Sequence, residues 1–335
     1  MAAAAPQAFV MGRVCVDLYP QQYEVPLEDV KTFEKFVGGF AGNVATGLAR
    51  LSVNAAIISG VGDDGHGRFI RRFLAAEGVD VTWLRTHPTL RTALAFCEVW
   101  PPDRFPITFY RTPTCPDWEL TRADLPAGAL PAASMLYVTG TGLARDASRS
   151  TTLAAMEMRR ISTEMRRATG APRSRWLPAT ILDLDWREAL WDRAADYERE
   201  VAAAARLADI VIGGAGEFAA AGLDPAATFA LGPRLVVVKR GPDGATVMDG
   251  DRAQHVPGLP VPVTNGLGAG DAFAAAFGAG MLAGLDPLEA VARGNAAGAI
   301  VATRLSCSTA MPRPWEIDAL LAGARVVDGA VVPRT

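Results

Sequence analysis

Histidine and cysteine are scarce in this chain and are not grouped. Three histidines (His66, His87, His255) lie far apart, and four cysteines (Cys15, Cys97, Cys115, Cys307) show no CxxC spacing. That pattern argues against a zinc site or a disulfide framework and fits a reducing cytoplasm. No basic run interrupts the sequence and the formal net charge is -3, so neither nucleic acid nor an anionic membrane is expected as the main partner. No apolar stretch reaches the roughly 18 residues of a membrane span. The opening "MAAAAPQAFVMGRV" has no charged region before its apolar residues, so no signal peptide is expected. These absences lead to the expectation of a soluble, cytoplasmic protein. Its 335 residues, half of them hydrophobic, suffice for one large α/β domain with an appendage or for two ordinary domains.

What the chain does have is a regular alternation. Apolar runs rich in β-branched residues occur at "AAIISGVG" (55–62), "MLYVTG" (135–140), "TILDLD" (180–185), "DIVIGG" (209–214) and "LVVVKRG" (235–241). Between them lie stretches with a 3.6-residue apolar repeat, at 42–51, 67–78, 149–168 and 197–208. Continuous apolar strands divided by helices predict an α/β fold with a mostly parallel sheet covered on both faces. Residues 12–38 and "TALAFCEVWPPDRFPITFYR" (92–111) break this rhythm with shorter, alternating strands, the second pair turning at Pro101-Pro102-Asp103. Together they predict a small sheet over the strand carboxyl ends, where open α/β sheets bind ligands, and hence a lid. "TGAPRSRWLPA" (169–179) is the expected exposed loop.

Three segments could carry chemistry. In "VTNGLGAGDAFAAAFGAGML" (263–282) a glycine-rich turn opens into an apolar helix. Bare backbone N–H groups and the positive end of the helix dipole suit an anion there. Gly268, Ala269 and Gly270 would cradle a transferring phosphoryl group, and Asp271 would take the proton of an attacking hydroxyl. Taken alone, the segment is equally a helix entry with a capping acid. "FVGGFAGNVATGLARL" (36–51) sets Gly38 and Gly39 before a helix whose first turn holds Asn43. The glycines would let a ligand approach and Asn43 would hydrogen-bond a hydroxyl pair, or the segment is only a tight turn. "VVVKRGPDGA" is a buried strand, a Pro-Asp-Gly turn and a return strand; taken alone it reads as a plain hairpin, and Lys239 at the strand end is the element that could serve a phosphate.

In this order, with "GRVCVDL" near the start and "VGDDGHGRFI" at 61–70, the segments resemble the ribokinase-like (PfkB) sugar kinases over nearly the whole chain. The resemblance implies a single ribokinase-like domain over 1–335, doubly wound, with a discontinuous β-lid from about 12–38 and 91–113. It implies that Asp17, Gly39 and Asn43 bind the sugar and that 268–270 form the anion hole with Asp271 as catalytic base. Lys239, Gly241 and Gly244 would approach the phosphates of ATP. "PLEDVKTFEKFVGG", "DRFPITFYR", "VTGTGLAR", "LDLDWREALW" and "SCSTAMPRPWEI" look further like the 5-dehydro-2-deoxygluconokinases of inositol breakdown. Their acceptor is a keto acid, whose carboxylate needs cationic partners. Arg111 at the end of the lid hairpin and Arg187 past the strand "ILDLD" are the expected bidentate clamp, the alternative being that both are surface or salt-bridge residues. Related 2-keto-3-deoxygluconate kinases are similar in using an aromatic-Arg pair, here Tyr110-Arg111, and an Asp-x-Asn-x-Arg segment, here 183–187. Relatives often dimerise through the lid, and "ALAFCEV" supplies an apolar face for a homodimer.

Two positions depart from the family's pattern. Asn265 and Gly266 stand where relatives carry the Asp-Thr of a monovalent-cation site, which leaves K+ activation without its usual support. Gly214-Ala215-Gly216-Glu217 replaces Asn-x-x-Glu, so Glu217 alone would organise Mg2+ through water, while ATP itself still requires that counter-charge. The acceptor alternatives are 2-keto-3-deoxygluconate and a neutral ketohexose. A non-catalytic, sugar-responsive protein on the same fold is the alternative of another class.

Overall fold

The apolar runs do form strands buried on both faces, because alternate residues of each strand enter different cores. The computed structural model describes residues 5–168, 175–250 and 252–333. In chain order its strands begin with β1 (Ala8–Met11), β2 (Cys15–Pro20), β3 (Phe33–Gly38), β4 (Ala55–Gly62), β5 (Leu84–His87), β6 (Leu94–Cys97) and β7 (Ile107–Tyr110). There follow β8 (Met135–Thr139), β9 (Ala179–Asp183), β10 (Ile210–Gly214), β11 (Leu235–Lys239), β12 (Ala245–Asp249) and β13 (Arg252–Val256). The main sheet has the order β13-β12-β11-β10-β9-β8-β1-β4-β5. It is parallel from β11 to β5, and β12 and β13 are antiparallel additions at one edge. In β8, Met135 and Tyr137 face one core while Leu136 and Val138 face the other. A strand of this kind has no polar side to show in the sequence.

Helices α1 (Phe40–Arg50) and α2 (Gly65–Ala76) cover the first face, and α3 (Ser148–Ala168), α4 (Ala194–Ala205) and α5 (Ala215–Ala220) the second. α6 (Ala269–Leu282) is apolar around its whole circumference because it is sandwiched. Phe273, Ala274 and Phe277 face the sheet, while Ala272 and Ala276 pack on Ala296, Ala297 and Ile300 of α7 (Pro287–Ala302). The expected helices at 42–51, 67–78 and 197–208 are present, each starting two or three residues earlier than the periodicity shows. Of the expected loop at 169–179, residues 169–174 lie outside the described residues. In the remainder Arg175 is exposed but Trp176 and Ala179 are buried.

Residues 12–38 and 92–111 contribute a separate four-stranded sheet of order β3-β2-β6-β7. Its central pair, β2 and β6, is parallel and the outer pairs are antiparallel. The β6–β7 hairpin closes through a Trp100–Arg104 bridge around the two prolines. No helix among the described residues is long and apolar enough to cross a membrane.

Candidate active site

Strand order reverses between β1 and β8, so the chain leaves these neighbours in opposite directions and a crevice opens beyond their carboxyl ends. Arg13, just past β1, donates from Nε to Thr141 Oγ1 across this crevice at 2.8 Å. Asp183 ends β9, Gly214 ends β10 and Lys239 ends β11 along the same edge. A cavity there is walled by β2, β6 and β7 of the small sheet and by the starts of α1 and α6.

The glycine turn places Asp271 in this cavity. Gly268 caps α6 with φ +81°, and a Cβ at that position would stand 2.8 Å from Cys307 Sγ, so glycine is required for both backbone and packing. The first bond of the helix runs from Ala272 N–H to Gly268 O; the N–H groups before it lie in the turn that has no carbonyl to meet within the helix. Asn43 Nδ2 donates to Asp271 Oδ2 at 2.7 Å, fixing the carboxylate from α1. Burial and the nearby Asp185 charge push Asp271 up to about 6, against the pull of Asn43, Arg187 and Arg13. Burial likewise pushes Asp17 up to about 6, although Cys15 Sγ donates to it at 3.1 Å. Lys239 Nζ lies 3.1 Å from Asp183 Oδ2 and 3.8 Å from Glu217 Oε2, and a Cβ on Gly270 would come within 3.6 Å of it. Burial pulls the Lys239 ammonium down, but those two carboxylates more than offset it and hold it charged beside the turn.

A helix-start amide turn, a carboxylate raised toward neutrality and a charged lysine in one crevice are the parts that phosphoryl transfer needs. A family model for pfkB family carbohydrate kinases matches residues 5–314. The chain belongs to that family. This carbohydrate kinase is 30% identical over 97% of its length to a 5-dehydro-2-deoxygluconokinase of Clostridium tetani, of which it covers 95%. It is 32% identical over 93% of its length to the 5-dehydro-2-deoxygluconokinase of Bacillus subtilis, of which it covers 94%. Its fold superposes on a fructokinase from Vibrio cholerae O395, in the form bound to fructose, ADP and calcium ion, with a TM-score of 0.80. That pair shares 28% identity over 95% of this chain and 99% of the other.

The kinase brings Asp17, Gly39, Asn43, Arg187, Gly268 and Asp271 together around its cavity. Arg111 is the correction. It does not line the cavity; its guanidinium is buried at the root of the hairpin, 2.5 Å from Asp117 and against the Trp118 ring at 4.6 Å. The end of β7 turns it inward, where a buried carboxylate neutralises it. Asn43 departs from its expected role in part, since Nδ2 goes to Asp271 and only Oδ1, buried and without a partner among the described residues, is left to meet a hydroxyl. Glu217 spends its carboxylate on the Gly214 N–H at 2.6 Å and the Trp186 N–H at 3.3 Å. The turn at Gly241 and Gly244 forms, both with positive φ. Sequence reasoning missed Arg13, Cys15, Tyr19 and Cys307, all in the cavity lining. Arg13 did leave a trace, a charge two residues past an all-apolar strand, though not one that shows its partners.

Proposed function

We propose that this kinase phosphorylates the terminal hydroxyl of 5-dehydro-2-deoxy-D-gluconate, a step of myo-inositol catabolism, with ATP as donor and Mg2+ as counter-ion. The observation that carries it is a single cavity holding a proton acceptor at a helix start, Asp271, together with a guanidinium, Arg187. The names of the relatives over nearly the full chain support the same acceptor.

In this mechanism Asp17 and the free Oδ1 of Asn43 accept hydrogen bonds from acceptor hydroxyls, and the small sheet acts as a lid that keeps water from the donor. Asp271 takes the hydroxyl proton as the oxygen attacks the γ-phosphorus in line. The new O–P bond forms as the bond to the leaving ADP oxygen breaks, and the 268–270 turn stabilises charge on the transferring group. Lys239 faces the phosphates, and the open space around Gly241, where an added Cβ would meet nothing within 4 Å, admits them. Among the described residues no group of three or more His, Cys, Asp or Glu could hold a metal ion. Magnesium takes one or two carboxylates when phosphates supply other ligands. Glu217, already bonded to backbone, would act through water. Bound magnesium would neutralise the β- and γ-phosphate charge.

The test is a coupled ADP-release assay with ATP and magnesium on 5-dehydro-2-deoxygluconate, 2-keto-3-deoxygluconate, fructose and ribose. The first acid is expected to show the highest kcat/KM. A higher value for either of the next two would reassign the acceptor.

A further inference from the structure

The crevice between β1 and β8 holds more positive charge than the steps above employ. Arg13 is 6% exposed and lines the same cavity as Arg187 and Asp271. Its Nε is tied to Thr141 Oγ1 and its Nη2 to Asp185 Oδ2, each at 2.8 Å, while Nη1 has no protein partner among the described residues. Arg187 approaches the other oxygen of the same carboxylate, Nη2 lying 3.5 Å from Asp185 Oδ1. Two guanidiniums therefore share one carboxylate, and the next acids to act on Arg187 are Glu217, Asp271 and Asp183. The other acids in the lining, Asp17 and Asp271, offer acceptors to hydroxyls and repulsion to an anion.

We propose that Arg13, with Arg187, forms the carboxylate subsite of the acceptor, and that Asp185 and Thr141 hold it in position. The proposal rests on the sugar-acid acceptor proposed above and moves the clamp from the lid hairpin to the switch point of the main sheet. Fixing Arg13 through two of its three nitrogens leaves little side-chain freedom to lose on binding. The lid takes part as well, since the Phe109 ring lies 5.9 Å from the Arg13 guanidinium carbon. A neutral acceptor would leave the Nη1 donor of Arg13 unmatched, which is how a polar site rejects an analogue lacking its partner group. Arg111 also keeps two nitrogens, Nε and Nη1, without hydrogen-bond partners among the described residues, but Arg111 is not in the cavity lining and its charge is already met by Asp117.

The experiment compares kcat/KM for the keto acid and for its primary amide in the wild type, Arg13→Met, Arg13→Lys and Arg111→Met. The acid-to-amide ratio is internal to each preparation, so a partly folded variant still reports. Arg13→Lys, which keeps a cation for Asp185, guards against a Met variant that does not fold. The ratio is expected to fall 10-fold or more in Arg13→Met, to fall less in Arg13→Lys and to hold in Arg111→Met. Equal losses for acid and amide in both Arg13 variants, the mark of a role toward the phosphoryl group, would overturn the subsite while leaving the acceptor standing. Collapse of the ratio in Arg111→Met alone would do the same. A wild type indifferent to the carboxylate would overturn the acceptor and the subsite together.

Discussion

Burial raises Asp271 from the ordinary 3.8 to about 6, and this has consequences of opposite sign for activity and stability. As a base it works only when ionised, so kcat/KM is expected to fall below an apparent pKa near 6. The acid limb steepens if Asp17, raised to a similar value, must also be charged; a pH–rate profile checks both. For stability, a folded pKa above the unfolded one means that the native state binds more protons between about pH 4 and 6. Its stabilising protonated form is therefore lost as pH rises through 6. Asp271→Asn should thus reduce turnover by 10²-fold or more and leave ATP affinity within a few-fold. Above pH 6 it should stabilise the fold by up to about 3 kcal/mol, read as a higher urea midpoint. Near-normal kcat in that variant would remove Asp271 from its role. Asp271 was legible in the sequence because the turn and the helix start that create its setting are local. Arg13 was not, because what makes it a site residue is the distant pair Thr141 and Asp185, brought beside it only by the strand order. Arg111 misled for another reason, since its partner Asp117 is only six residues on and the sequence does not show that the chain turns the two together beneath the hairpin.

Among the elements, strands covered on both faces were legible because their lack of alternation is itself a signature, and β4 falls on the expected 55–62. The glycine pair before α1 stands where expected, with Gly39 in the cavity lining, and the structure adds a second reason for it. A Cβ on Gly38 would overlap the Asp17 carboxylate, and one on Gly39 would stand 2.7 Å from Arg13 O. What approaches the pair is the protein's own acid and backbone, so Gly38→Ala is expected to displace Asp17 and raise the acceptor KM. Gly268→Ala forces an L side chain to φ +81° against Cys307 and should cost about 1–3 kcal/mol, visible as a lower urea midpoint together with a lower kcat. The same loop bears on potassium. Asn265, fully buried, donates to Leu305 O at 2.5 Å and accepts from Leu267 N–H at 3.1 Å. A neutral amide closes that loop with an N–H where a cation would want oxygen. Exchange of sodium for potassium at constant ionic strength is expected to leave kcat unchanged, and several-fold activation by potassium would show that the loop rearranges.

For the whole molecule, the small sheet raises the question of what covers its outer side. Ala95 and Cys97 of β6 are buried, Ala95 in the lining of the cavity, whereas their neighbour Phe96 meets Phe33 at 5.3 Å and Tyr110 at 5.2 Å between ring centroids. Tyr110 is 58% exposed, and β3 and β7 are the unpaired edges of the sheet. Aromatic surface beside free strand edges favours pairing with a second copy. The expected state in solution is a homodimer joined through these sheets, with each lid steadied by its partner. Sedimentation velocity at micromolar protein checks it, together with Phe96→Glu, which should shift the mass to that of one chain. Because the small sheet also walls the cavity, the monomeric variant should show a raised acceptor KM and more ATP hydrolysis without acceptor. A wild type that sediments as a single chain would leave the aromatic face as ordinary lid packing, and closure would then be a property of one chain alone.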